Sequence, residues 1–262
     1  MLTIDKLCYY SKLRYVNPAE KALYTMVTII MLIASRSVIM AAAILVLNYY
    51  LNVYKGGLNG KRYRVLLTWP LSFLIFGTIA LFVNISGTKL DLYAIPIGSF
   101  YLTGSKIGMW QGVQLIMTAM AAVSSLYFLS LNTTMPDIIS VLRKCKLPKI
   151  FVELMMLIYR FIFILMNVAA NITVSQKSRL GYRNYKTSIK SFAAMLSALF
   201  INSMRRSNNL FDAMEARGYD GELRMIEEHY EQNRRTMWLI GCLGVVLLAV
   251  TVWIKVESVI YI

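Results

Sequence analysis

Apolar residues in this 262-residue chain fall into long runs separated by short basic loops, and the run lengths predict the elements. A hydrocarbon core about 30 Å thick needs ~20 helical residues at ~1.5 Å each. Residues 22–54 hold two apolar runs broken at Ser35-Arg36-Ser37. Each run is short for one crossing, and the two together are long for one. The pattern predicts a tight pair of short helices turning at Arg36, returning the chain to the side it left. Further apolar runs predict spans at Val65–Ser86, Ile107–Leu131 and Trp238–Ile254. Pro70 falls near the start of the first, where a missing backbone donor is tolerable. Trp238 and Trp253 lie near the two ends of the last, as interfacial aromatics do. Gly87 to Lys106 reads as a weakly charged external loop.

Between Met135 and Arg235 the pattern changes. This insert carries 16 Lys and Arg against 9 Asp and Glu, a surplus of seven. Pro136 and Pro148 mark one end, and Glu227, Glu228 and Glu231 the other. Ile150 to Arg179 predicts one long helix, apolar in its first half except for Glu153 and Arg160. These two are seven residues apart, so they share a face without touching; they form a structural pair or part of a coupling path. The helix is placed at the membrane surface, with its polar half reaching outward. Tyr185 to Arg217 predicts a second long helix with a stripe at Ile189, Phe192, Met195, Leu196, Leu199, Phe200, Ser203, Ser207, Leu210, Phe211 and Met214. Steps of three and four mark one buried face, and the two serines permit close crossing by another helix. Gly218 stops this helix, and Gly181 plays the same part for the first. The expected division is a membrane domain over residues 1–134, a cytoplasmic helical domain over 135–235 and a membrane helix over 236–262.

Composition fixes the class. Hydrophobic residues make up 58% of the chain, and the mean hydropathy is +0.56. The expected fold is all-α and polytopic, with about five membrane helices in the lipid bilayer. The net charge of +15 is assigned to topology, because no nucleic-acid module is present and no nucleic-acid partner is expected. Lys55, Lys61, Arg62 and Arg64 form an acid-free loop that the positive-inside rule places in the cytoplasm with the N-terminus. The C-terminus then lies outside. No cleavable signal is visible at the N-terminus.

Chemistry is sparse. Cys8, Cys145 and Cys242 form no CxxC or CxH pair, and a reduced state fits. His229, the only histidine, reads as a surface residue among glutamates. The 16 methionines fall mostly at core spacing in apolar helices. No phosphate-binding loop and no nucleophile elbow occur. Catalytic residues, cofactor and metal site are all expected to be absent, so the chain is not itself an enzyme.

Two short sequences remain: Ser178-Arg179-Leu180 and Ala216-Arg217-Gly218, their arginines 38 residues apart. A cation in a last helical turn gains ~0.3–1 kcal/mol from the helix dipole, which explains either one alone. Duplication on two long helices suggests more. These residues resemble the paired Ala-Arg-Gly coupling motifs of the transmembrane component of energy-coupling factor transporters, the CbiQ/EcfT family. Ser178 and Leu180 depart from that pattern, while Arg179 keeps its place. Val16-Asn17-Pro18 with Lys21 is similar to the family's Asp-Pro-x-x-Lys opening. ELMMLIYRFIF (Glu153 to Phe163) and QKSRLGYRNY (Gln176 to Tyr185) look like the cobalt and nickel branch.

The resemblance implies a multi-pass subunit of the cell membrane that is non-catalytic. Its two long helices would cross and present Arg179 and Arg217, one to each of two ATP-binding cassette subunits. Its membrane helices would hold a substrate-binding membrane subunit. Cobalt or nickel follows only from the branch, and a vitamin stays open as cargo. A self-sufficient secondary transporter or channel is the alternative. It usually carries ionisable residues near the midplane of several spans, and three of the spans here carry none. An intramembrane enzyme would need clustered acids, histidines or a metal site.

Overall fold

The computed structural model describes residues 3–82, 84–86, 93–97, 100–104, 106–221, 230 and 234–260. The acidic run at Glu227, Glu228 and Glu231, together with His229, lies outside them. Contacts divide the chain into two compact units. One joins Leu2–Thr134 with His229–Ile262, and the other holds Met135–Glu228.

The larger unit contains α1 (Thr3–Tyr10), α2 (Pro18–Ser35), α3 (Val38–Tyr50), α4 (Gly60–Phe82), α5 (Lys106–Asn132) and α9 (Arg234–Ile260). α2 starts on a cap, with the Asn17 side chain accepting from the Ala19 amide at 3.0 Å and Pro18 in the first turn. It ends at Arg36, which takes a left-handed conformation at φ 46°. α3 begins two residues later, so the apolar stretch is a helix pair turning at Arg36. A π-helical turn over Leu51–Lys55 ends the pair. There the Lys12 amide donates to the Gly56 carbonyl at 3.2 Å, so the N-terminal segment and this loop sit together.

α5 is the central helix, packed by α1, α2, α3 and α4. Its small residues Ala121, Ser124 and Ser125 are fully buried and let neighbours approach closely. Leu32, Met40, Ala41, Ile44 and Ala121 form the apolar core. Among lipid tails apolar burial drives little association, so polar contacts between helices matter more. Here the Tyr24 hydroxyl donates to Asn48 Oδ1 at 2.8 Å, and Asn48 Nδ2 to Ser125 Oγ at 2.9 Å. Asn132 Nδ2 donates to Asn52 Oδ1 at 2.8 Å, and Ser11 Oγ to Asn132 Oδ1 at 2.6 Å.

Two expectations are corrected in this unit. Helix α4 starts at Gly60, before Lys61, Arg62 and Arg64, which leaves Pro70 inside it. Proline cannot donate to the carbonyl of Leu66, four residues back. The Tyr127 hydroxyl of α5 reaches that oxygen instead, at 3.4 Å. The stretch read as a plain loop also holds three short antiparallel strands, β1 (Asn84–Ser86), β2 (Tyr93–Ile97) and β3 (Phe100–Gly104), in the order β1-β3-β2. Tyr, Ile and Phe favour this pleated state, and Pro96 is accommodated because β2 is an edge strand.

The second unit contains α6 (Met135–Lys144), α7 (Lys149–Ser178) and α8 (Tyr185–Glu215). A left-handed Lys146 at φ 60° and then Pro148 turn the chain from α6 into α7. Among the described residues five helices are long and apolar enough to cross a membrane. They are Pro18–Ser35, Val38–Lys55, Gly108–Asn132, Lys149–Ser178 and Arg234–Trp253. Length and hydropathy thus do not separate α7 from the spans, although its polar end suggested a surface position. α4, with 23 residues, reaches about 35 Å. Apart from the small sheet, the protein is an all-α polytopic membrane protein.

Candidate functional site

The two arginine sequences lie at the ends of α7 and α8, and their backbones match. Arg179 caps α7. The Leu180 amide donates to the Lys177 carbonyl at 3.0 Å, and the Gly181 amide to Gln176 at 2.8 Å. At the end of α8 the Gly218 amide donates to Glu215 at 2.9 Å, and the Tyr219 amide to Met214 at 3.0 Å. Both are the paired bonds of a Schellman ending, with an arginine directly before a left-handed residue. That residue is Leu180 at φ 59° in the first and Gly218 at φ 73° in the second.

Gly181 was expected to stop α7, but Leu180 occupies the left-handed position. Gly181 is required one residue later for space. A Cβ there would lie 2.7 Å from Ser191 Oγ and 2.9 Å from the Gln176 carbonyl oxygen. This crowding belongs to a lock between the two helices. Ser191 Oγ donates to the Gly181 carbonyl, Gln176 Nε2 to the Ser191 carbonyl, and the Tyr182 hydroxyl to Gln176 Oε1, each at 2.8 Å. Ser178 Oγ bonds back to Val174 within α7 at 3.1 Å.

Both arginines, with Ser178, Leu180, Ala216 and Gly218, are exposed. α8 has 31 residues, which separates its ends by about 46 Å. The structure therefore makes two separate cationic tips and not one pocket. Each guanidinium offers a fixed fork of donors suited to carboxylate and carbonyl acceptors.

The apolar stripe of α8 was expected to be a buried face. In the chain by itself α8 has no buried residue, and Phe192, Phe200 and Phe211 are 51%, 66% and 61% exposed. Helical periodicity marks which face avoids water but not what covers it.

Glu153 and Arg160 do not form a buried pair. Arg160 is exposed. Glu153 Oε2 instead accepts from the Tyr219 hydroxyl at 2.8 Å, two residues beyond Arg217. This bond, followed by partial desolvation and the nearby charges of Glu153 and Asp220, raises the phenol above its ordinary value of 10.0.

Pro18 and Lys21 lie in the other unit, both buried. The Lys21 ammonium donates to the main-chain oxygens of Leu13 at 3.1 Å, Arg14 at 3.3 Å and Asn132 at 2.7 Å. It thus ties the N-terminal segment to the end of α5. The contacts of Tyr219 and Gln176 escaped the sequence reading, as did Ser191 and the buried Asn48, Asn52 and Asn132. Three asparagines in or beside apolar runs were the signal that was available.

Among the described residues no three His, Cys, Asp or Glu side chains come together as a metal site.

Comparison with known proteins gives the family. The profile of the CbiQ family, described as cobalt transport protein, matches residues 10–228. An uncharacterised protein of Methanocaldococcus jannaschii is 31% identical over 86% of this chain and 83% of its own length. A cobalt transport protein CbiQ of Salmonella typhimurium is 25% identical over 86% of this chain and 100% of its own. An energy-coupling factor transporter transmembrane protein EcfT of Staphylococcus aureus is 30% identical over 59% of this chain and 64% of its own. With 219 consecutive residues inside the family profile, both arginine endings included, this chain belongs to the CbiQ family of transporter membrane components.

Proposed function

We propose that this chain is the coupling subunit of an ATP-driven uptake system, with Arg179 and Arg217 each engaging one of two ATP-binding cassette subunits. Nucleotide-driven movement of those subunits displaces α7 and α8, and the displacement passes to a substrate-binding membrane subunit. The observation that carries this reading is the pair of matching Schellman endings. Each fixes the main-chain conformation beside an exposed arginine by hydrogen bonds, at opposite ends of one long helix. Separate tips suit two separate partners, and guanidinium forks suit acceptor-rich grooves. The uncovered apolar faces of α4 and α8 supply surface for a membrane partner.

The printed names of the relatives support the class: cobalt transport for the Salmonella protein, energy-coupling factor transport for the Staphylococcus protein. A putative fused cobalt transport protein CbiMQ of Methanocorpusculum labreanum is 29% identical over 86% of this chain, which spans 38% of that longer protein. Cobalt or nickel is the proposed cargo. The residues over 135–235 act as the coupling unit, and the N-terminus faces the cytoplasm.

Charge reversal tests the reading. Arg217→Glu, and to a lesser degree Arg179→Glu, abolishes transport and loosens ATPase binding while membrane insertion stays intact. A double variant that still captures the ATPases in pull-down ends it.

A further inference from the structure

The α7–α8 hairpin is fastened at its turn by Gln176, Gly181, Tyr182 and Ser191. Fastened there alone, it would be two levers on one pivot. α8 extends about 46 Å from that pivot, so a rotation of about 5° moves its far end by about 4 Å. Arg217 sits on that far end. A force applied to it would be spent in swinging α8 and would not reach α7.

A second fastening lies at the open end. Tyr219, two residues after Arg217, donates to Glu153 in the opening turns of α7. The two residues are 66 positions apart in sequence. The Schellman bond from the Tyr219 amide to the Met214 carbonyl makes the tyrosine part of the same turn that holds the main chain of Arg217. Turn, hydroxyl and carboxylate thus form one short path from the arginine to the base of α7. We propose that Tyr219 and Glu153 are positioning residues. Given the coupling role proposed for Arg217, they close the hairpin into a frame and pass displacement of Arg217 to α7. A phenol donating to a carboxylate suits the task, since it is directional and strong enough to hold without being permanent.

Tyr219→Phe and Glu153→Gln test this with little change of shape. Spin labels are placed on exposed Phe151 and Ala213, near the base of α7 and the end of α8, in an otherwise cysteine-free full-length chain. Cobalt ions taken up per ATP hydrolysed are measured in the complex with its ATPase and substrate-binding subunits. Each variant is expected to broaden the label-to-label distance distribution and to cut the transport-to-hydrolysis ratio about tenfold. ATPase docking is retained, and the double variant is no worse than the worse single one. An unchanged distance distribution, an unchanged ratio, or additive losses in the double variant overturns the proposal. Loss of docking in Arg217→Glu with unchanged distances in Tyr219→Phe sinks the fastening alone. Full docking by Arg217→Glu sinks the coupling reading and the positioning role with it.

Discussion

The Lys21 ammonium lies 2.7 Å from the main-chain oxygen of Asn132, the last residue of α5. A helix ends with carbonyls that lack helical donors and with the negative pole of its dipole. A buried cation answers both, and Lys21 does so while also holding Leu13 and Arg14. Asn132 is itself bonded to Ser11, Asn52 and Phe128. The opening Pro-x-x-Lys sequence is thereby explained as a fastening of the N-terminal segment onto the central helix.

Lys21→Met keeps the apolar stem and removes the charge, leaving three carbonyl oxygens without that donor. The expected cost is about 2–4 kcal/mol. Thermal unfolding of the full chain in detergent measures it, and a loss no larger than that of an exposed lysine variant would refute the role.

The two helix endings predict effects of opposite sign. Leu180→Gly relieves a left-handed leucine and is expected to stabilise by up to about 1 kcal/mol. Gly218→Leu places a side chain at φ 73° and is expected to destabilise by about 1–2 kcal/mol. Equal effects of the two substitutions on unfolding would contradict the matching geometry.

Pro70 and Tyr127 form a testable couple. Tyr127→Phe strips the Leu66 carbonyl of its substitute donor and is expected to cost about 1 kcal/mol. In a Pro70→Ala background the restored amide serves that oxygen, and the same substitution becomes nearly silent. A double-mutant cycle with no coupling energy rejects the pairing.

The bond between the Lys12 amide and the Gly56 carbonyl puts both basic segments at one end of the bundle. Single cysteines at Lys12 and Arg62 are expected to resist an impermeant reagent on intact cells and to react after lysis. Labelling of either from outside reverses the orientation.

What could be read from the sequence follows from what each feature is made of. The helix pair at Arg36 was legible because run length against membrane thickness is a one-dimensional count. The long helices and their arginine ends were legible for the same reason. Lys21's burial was not, because its partners are main-chain oxygens of Leu13, Arg14 and Asn132, which no side-chain pattern records. Tyr219 and Glu153 meet only after the chain has doubled back. The left-handed Leu180 was misassigned to Gly181 because glycine is the usual occupant, and here a packing demand had put one a single place further on.

That displacement bears on how such tips should be recognised elsewhere. Torsion angles and amide-to-carbonyl pairs define them, whereas the letters beside the arginine are free to vary. Relatives whose tripeptides have drifted beyond spelling can be sorted by whether the residue after a helix-terminal arginine flips handedness.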